Sequence, residues 1–427
     1  MKKIAFITFL FLLIGCDQPA QVEKPTKNNS QPPVVKTVDI VGLWRGVLLS
    51  PGGELPFGID IIKENNQYTA KIINGEERAD TSKVELNDNN ITINFDWFDA
   101  RIKATIDEDG QSMTGQWSKT ASGKDKTSAL DFKAMRGYKQ RFSQESLNSN
   151  NTKVAGNWEV TFTDEDGESI AVAEFNQNDE IVTGTFLTPT GDYRYLAGTA
   201  KDNKLYLSAF DGAHAFLFDA EINDDKIING NFWSRDSYHA TWVAQYSEDT
   251  SDFLPSSWEM NKITTNDQSV SFSFEDIQGN TVQLTDERFK NKPVLINLFG
   301  TWCPNCNDEA PVLAKFYNQY NPQGLEMVGL AFEFTEDPVR DRKQLSAFKK
   351  RHNINYPLLL AGGNDKTEAT KILGFLDKVK SYPTTLFLDK NHQVVKIHTG
   401  FSGPGTGDHY LKLVEELETE IKNLLSI

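Results

Sequence analysis

Val294-Leu295-Ile296-Asn297-Leu298-Phe299-Gly300-Thr301-Trp302-Cys303-Pro304-Asn305-Cys306 decides the last third of this 427-residue chain. Val294 to Phe299 is an almost unbroken apolar run, as expected of a central strand covered on both faces. Gly300 breaks it, and a helix is predicted to begin at the cysteines. Cys-x-x-Cys at a strand-to-helix junction is a redox signature. Two intervening residues put both sulfurs on the first helical turn, within reach of a disulfide. Unpaired N–H groups and the positive end of the helix dipole favour thiolate and lower the pKa of Cys303. Pro304 suits the first turn, where a missing N–H costs nothing.

The chain has three cysteines. Half a zinc site is the competing reading of Cys303 and Cys306. It lacks ligands, because the third cysteine, Cys16, has another explanation below, and His352 and His392 form no HxxxH-type pair. No metal is expected.

Downstream, Glu309-Ala310-Pro311 lies just past the second cysteine, and Tyr382-Pro383-Thr384-Thr385-Leu386-Phe387 enters a later strand. With the cysteine motif, these segments resemble the TlpA/ResA-like thiol–disulfide oxidoreductases of bacterial cell envelopes, over residues 268–427. The resemblance implies an α/β thioredoxin fold. It implies that Cys303 attacks a partner disulfide and that Cys306 resolves the mixed disulfide. It also implies a cis peptide before Pro383, with Trp302, Tyr382 and Pro383 meeting substrate. From the residues alone, Pro383 fits an edge-strand trans-proline.

Glu309 stands three residues beyond Cys306, on the same helix face. A half-buried carboxylate there would carry protons for Cys306; the plainer reading is a solvated helix glutamate. Asn297 is a neutral amide where thioredoxin itself has a buried acid, which puts proton handling on Glu309. Helices are further predicted over Asp341 to His352 and Tyr410 to Leu425, with strands over Leu325 to Phe332 and Tyr356 to Leu360. Glu333 and the Glu336-Asp337 pair read as a solvated loop cluster. Residues 246–270 read as a polar connector.

Before that connector the chain reads as β structure, twice. Phe57, Ile59 and Ile61 alternate with polar residues up to a turn at Asn65-Asn66, and such runs recur to Met135. Gly42-Leu43-Trp44 returns as Gly156-Asn157-Trp158, 114 residues on. Phe95-Asp96 and Gly115 return as Phe210-Asp211 and Gly230, 115 residues on. The pattern is a duplicated antiparallel module, residues 39–138 and 153–247. Each copy must cover its sheet edges, as a lipocalin-like barrel or as a sandwich. The fold class expected is therefore multidomain: two all-β antiparallel modules followed by an α/β thioredoxin fold. Asp107-Glu108-Asp109-Gly110 and Asp164-Glu165-Asp166-Gly167 lack the ligand spacing of a calcium loop and read as hairpin turns.

At the N-terminus, Met1-Lys2-Lys3 precedes an apolar run from Ile4 to Ile14, too short to span a bilayer as a stable helix. It ends in Leu13-Ile14-Gly15-Cys16, which resembles a bacterial lipobox. Residues 1–15 are then a signal peptide, Cys16 the lipidated first mature residue, and residues 16–38 a proline-rich tether. The expected location is the cell envelope, outside the cytoplasm and anchored to a membrane.

Net charge is −16, which repels phosphate backbones and argues against nucleic acid as a partner. No glycine-rich dinucleotide motif appears, so no cofactor is expected and electrons must come from another thiol protein. By family analogy that donor is a membrane thiol reductant, and the substrates are protein disulfides of the envelope, as in cytochrome c maturation. A peroxiredoxin would need Pro and Thr or Ser where Ile296 and Gly300 stand. A third reading is a surface binding lipoprotein whose β-modules capture a ligand or partner.

Overall fold

Strands joined by tight turns leave two unpaired edges unless the last strand meets the first, and in both modules it does. The computed structural model describes residues 38–120, 126–137, 141–142, 152–264, 269–335 and 337–426. The readings for Cys16, the signal peptide and nearly all of the tether lie outside these residues. In the first module Gly42–Ser50 pairs antiparallel with both Gly53–Glu64 and Thr127–Arg136, and Gly53–Glu64 pairs onward with Gln67–Asn74. The sheet is thus a closed antiparallel barrel, with the short strand Glu77–Asp80 as a spur. The second module repeats this order, closing through Gly156–Asp164 and Tyr238–Ser247, with Gly191–Asp192 as the spur. Barrels, not sandwiches, solve the edge problem here.

Turn chemistry sets the registers. Asn65 and Asn66 have φ of 48° and 64°, the left-handed pair that a two-residue hairpin requires. Both aspartate-rich segments are hairpin turns, and no group of metal-binding side chains occurs among the described residues. The duplication extends to single bonds. Trp44 and Trp158 are both buried, and each indole N–H donates over 2.9 Å to the carbonyl four residues back, at Ile40 and Val154.

The two barrels share packing. Phe210, from a hairpin of the second, joins the first barrel's core 4.4 Å from the Phe57 ring and edge-on to Phe95 and Trp117. The Trp117 indole donates to the Gly212 carbonyl at 3.1 Å.

The C-terminal domain is a seven-stranded sheet with Val294–Phe299 near its middle, buried along its whole length. That strand runs parallel to Glu326–Glu333 and antiparallel to Thr384–Leu388. Helices Pro304–Tyr320, Pro338–Arg351, Lys366–Leu373 and Asp408–Ser426 accompany the sheet. Pro338–Arg351 starts earlier than its apolar pattern suggests because Asp337 caps it, accepting from the Val339 and Arg340 amides. Asp337 is therefore a cap and not part of a loop cluster. Lys366–Leu373, capped by Asp365, was not predicted; eight residues carry too little periodicity. The connector is bound to this domain too. Trp258 packs on His398 and Phe387, and Asn261 donates to the Lys378 carbonyl.

Candidate active site

Cys303 ends the turn after the central strand with extended backbone, φ −87° and ψ 118°, and so caps the helix that Pro304 opens. The Cys306 amide donates to Cys303 Sγ at 3.2 Å. A disulfide joins the two cysteines, with Cα atoms 5.2 Å apart. Both are buried, Cys303 at 5 % exposure and Cys306 at 2 %. The Tyr382–Pro383 peptide is cis, and the Tyr382 carbonyl oxygen lies 3.6 Å from Cys303 Sγ. Trp302 stacks on Phe334 at 4.6 Å, stands edge-on to Tyr382, and donates its indole N–H to the Phe332 carbonyl. The structure thus brings Trp302, Cys303, Cys306, Tyr382 and Pro383 together.

Glu309 is more deeply placed than expected, fully buried rather than half-buried. Its carboxylate accepts from Asn297 Nδ2 at 2.7 Å and from Thr385 Oγ1 at 3.1 Å. Burial outweighs those two bonds and pushes its pKa up to about 7. Asn297, on the central strand, therefore orients the acid on the helix. Thr385 is the third member of this cluster, and nothing in its local sequence distinguishes it from any other strand threonine.

Glu333 corrects the sequence reading outright. It is not a solvated loop residue but ends the strand Glu326–Glu333 at 1 % exposure. It accepts the Thr301 amide at 2.9 Å and the Thr301 hydroxyl at 2.7 Å, two residues before the nucleophile position. Burial raises its pKa to about 7. A second brace comes from Asn307, whose side-chain amide donates to the Thr301 and Cys303 carbonyls, each at 3.0 Å. Its free Oδ1 faces His352 Nε2 at 3.0 Å, so that ring nitrogen carries the proton. Burial, then the neighbouring Arg351, pushes His352 down to about 3, so the ring is neutral.

A buried Cys-x-x-Cys disulfide on a helix N-terminus, facing a cis-proline and followed one turn on by a buried acid, defines a thioredoxin-fold thiol–disulfide oxidoreductase. Residues 265–397 match the AhpC/TSA family. The chain is 27 % identical over 149 residues to thiol-disulfide oxidoreductase ResA of Halalkalibacterium halodurans, covering 35 % of this chain and 76 % of that protein. Over 133 residues it is 32 % identical to the thioredoxin-like protein YneN of Bacillus subtilis, 31 % of this chain and 70 % of that one. A solved thiol:disulfide interchange protein of the thioredoxin family from Chlorobium tepidum aligns over 34 % of this chain and 94 % of its own, at 22 % identity and TM-score 0.26. Through its C-terminal domain the chain belongs to the TlpA/ResA-like thioredoxin-fold oxidoreductases.

Proposed function

We propose that this chain is a lipid-anchored, extracytoplasmic reductase of protein disulfides in the cell envelope, of the cytochrome c maturation type. The observation that carries the reading is the Cys303–Cys306 disulfide, set at a helix N-terminus with the Tyr382 carbonyl beside it. In the reduced protein, Cys303 thiolate attacks a substrate disulfide and releases one substrate thiolate. Cys306 then attacks Cys303 Sγ, closing the internal disulfide and releasing the second substrate thiol. Two electrons pass to the substrate, and a membrane thiol reductant returns them. Glu309, one turn along the helix from Cys306 and with its pKa raised to about 7 by burial, would exchange the proton of Cys306. Cys16 supplies the lipid anchor.

The AhpC/TSA match brings the peroxidase reading back, but the residues disfavour it. Ile296 is a buried strand residue and Gly300 has no hydroxyl, so the peroxide-holding groups are missing.

The test is trapping. Cys306→Ser in cells should accumulate Cys303-linked adducts that dissolve on reduction and vanish in Cys303→Ser. Absence of any such adduct, or peroxide consumption outpacing disulfide reduction by the purified protein, would overturn the proposal. Cys16→Ala should release the protein from the membrane fraction; retention with unchanged lipid labelling would remove the anchor.

A further inference from the structure

A cleft of about 730 Å³ opens beside the dithiol, with Trp302 and Pro304, the neighbours of Cys303, in its wall. All three folded parts line it. The first barrel contributes Lys119 and Ser128, the second His214 and Arg235, and the redox domain Phe334. Lys119 is only 4 % exposed. Its ammonium lies 5.3 Å from the centre of the Phe98 ring and 5.7 Å from that of Phe334. Among the described residues no hydrogen bond or ion pair takes it up. A buried ammonium with no direct hydrogen-bonded partner is unfavourable; burial, then Arg235, pushes Lys119 down to about 7 against the weaker opposing pull of Asp211 and Asp99.

Arg235 follows the strand Lys226–Ser234 with φ 57° and is half-buried. Its guanidinium likewise enters no ion pair among the described residues. The only acid among the described residues lining the cleft, Asp236, partly offsets Arg235, and its oxygens are engaged by the first barrel. It accepts from Ser128 Oγ at 2.5 Å and from the Ala129 amide at 3.3 Å. His214 is held by Asp211 at 3.1 Å. A chain of net charge −16 thus lines this cleft with three cations, Lys119 and Lys126 from the first barrel and Arg235 from the second, against one acid.

We infer that this cleft selects the substrate by a carboxylate: the preferred substrate is a short, extended cystine-containing segment with Glu or Asp next to the reacting sulfur. The carboxylate pairs with Lys119 and Arg235 while the disulfide meets Cys303 and the apolar flank lies on Trp302 and Phe334. A volume of this size holds a short segment and not the face of a folded domain. The inference rests on the disulfide-exchange reading of Cys303.

The experiment uses the full chain, reduced, with three disulfide-bonded peptides alike except for Glu, Gln or Lys flanking the cystine. Rates of peptide reduction should fall in the order Glu, Gln, Lys, with Glu over Lys about tenfold. Lys119→Gln and Arg235→Gln should each bring the Glu-over-Lys ratio several-fold closer to one. The half-buried Arg235 site keeps the test open if Lys119→Gln does not fold. Equal rates in the wild type, a reversed order, or a ratio unmoved in both variants would overturn the inference. Failure to reduce any of the three peptides would instead overturn the reductase reading beneath it.

Discussion

Glu309 is a buried carboxyl whose raised pKa makes both the stability and the proposed proton traffic depend on pH. Below about pH 4.5 it is protonated whether the chain is folded or unfolded. As pH rises toward 7 the unfolded chain ionises first, while the folded site resists, so the folded state loses stability through this group. Glu309→Gln should therefore gain stability relative to the wild type across that window, by on the order of 3 kcal/mol at pH 8. Denaturant titrations of both proteins at pH 4 and pH 8 measure the difference; a constant gap would contradict the shift. The redox consequence has its own sign. An ionised Glu309 near the sulfurs disfavours a second negative charge, so Glu309→Gln should lower the Cys306 pKa and flatten the pH dependence of exchange between pH 5 and about 9. Thiol titrations that overlay in the two proteins would rule out the proton role.

The turn that presents Cys303 is held from two directions, by Glu333 at the end of a neighbouring strand and by Asn307 on the helix. Removing the Glu333 carboxylate leaves a buried Thr301 amide without a partner. Glu333→Ala should cost about 2 kcal/mol and slow disulfide exchange several-fold by loosening the nucleophile. Glu333→Gln, which keeps one acceptor, should recover most of the exchange rate. Urea unfolding and peptide-disulfide kinetics separate the two effects; an Ala variant with wild-type kinetics would make Glu333 purely structural. At the helix itself, Asp337→Ala removes the cap of Pro338–Arg351 and should cost about 1 kcal/mol without altering exchange.

On the scale of the whole molecule, one guanidinium ties both barrels to the redox domain at once. Arg194 follows the second barrel's spur and reaches Glu77 of the first barrel at 2.8 Å, Asp211 of its own barrel at 3.0 Å, and Asp308 of the active-site helix. Burial works against its charge, but the three carboxylates outweigh it and hold it protonated. The spur also places Asp192 against the Gly403 amide at 2.6 Å. On the other side, Arg340 pairs with Asp99 at 2.7 Å, and Arg351 lies over the Trp97 ring. Arg194→Met would leave three largely buried carboxylates without their cation, at a cost of about 3–5 kcal/mol. The expected signs are a lowered melting temperature and faster protease cleavage between the barrels and the redox domain. A melting curve that overlays the wild type would mean that Arg194 is dispensable.

The sequence by itself determined what depends on neighbours along the chain. Cys-x-x-Cys after an apolar run specifies the dithiol, alternation with Asn and Asp turns specifies the strands, and the 114- to 115-residue offset reveals the duplication. The first two are local patterns, set by period and turn chemistry, and the third needs only the sequence compared with itself. Only the tertiary structure decided that the modules close as barrels, because the Trp44–Arg136 pairing joins residues far apart in sequence. The same holds for Glu333, whose partner Thr301 lies 32 residues away, and for Arg194, whose three carboxylates sit on three domains. A charged residue looks solvated until the fold brings it a partner, since desolvation and Coulomb pairing depend on distance in space and not on spacing in sequence. Lys119 shows the remaining case, where folding buries the cation and, among the described residues, gives it no direct ion pair.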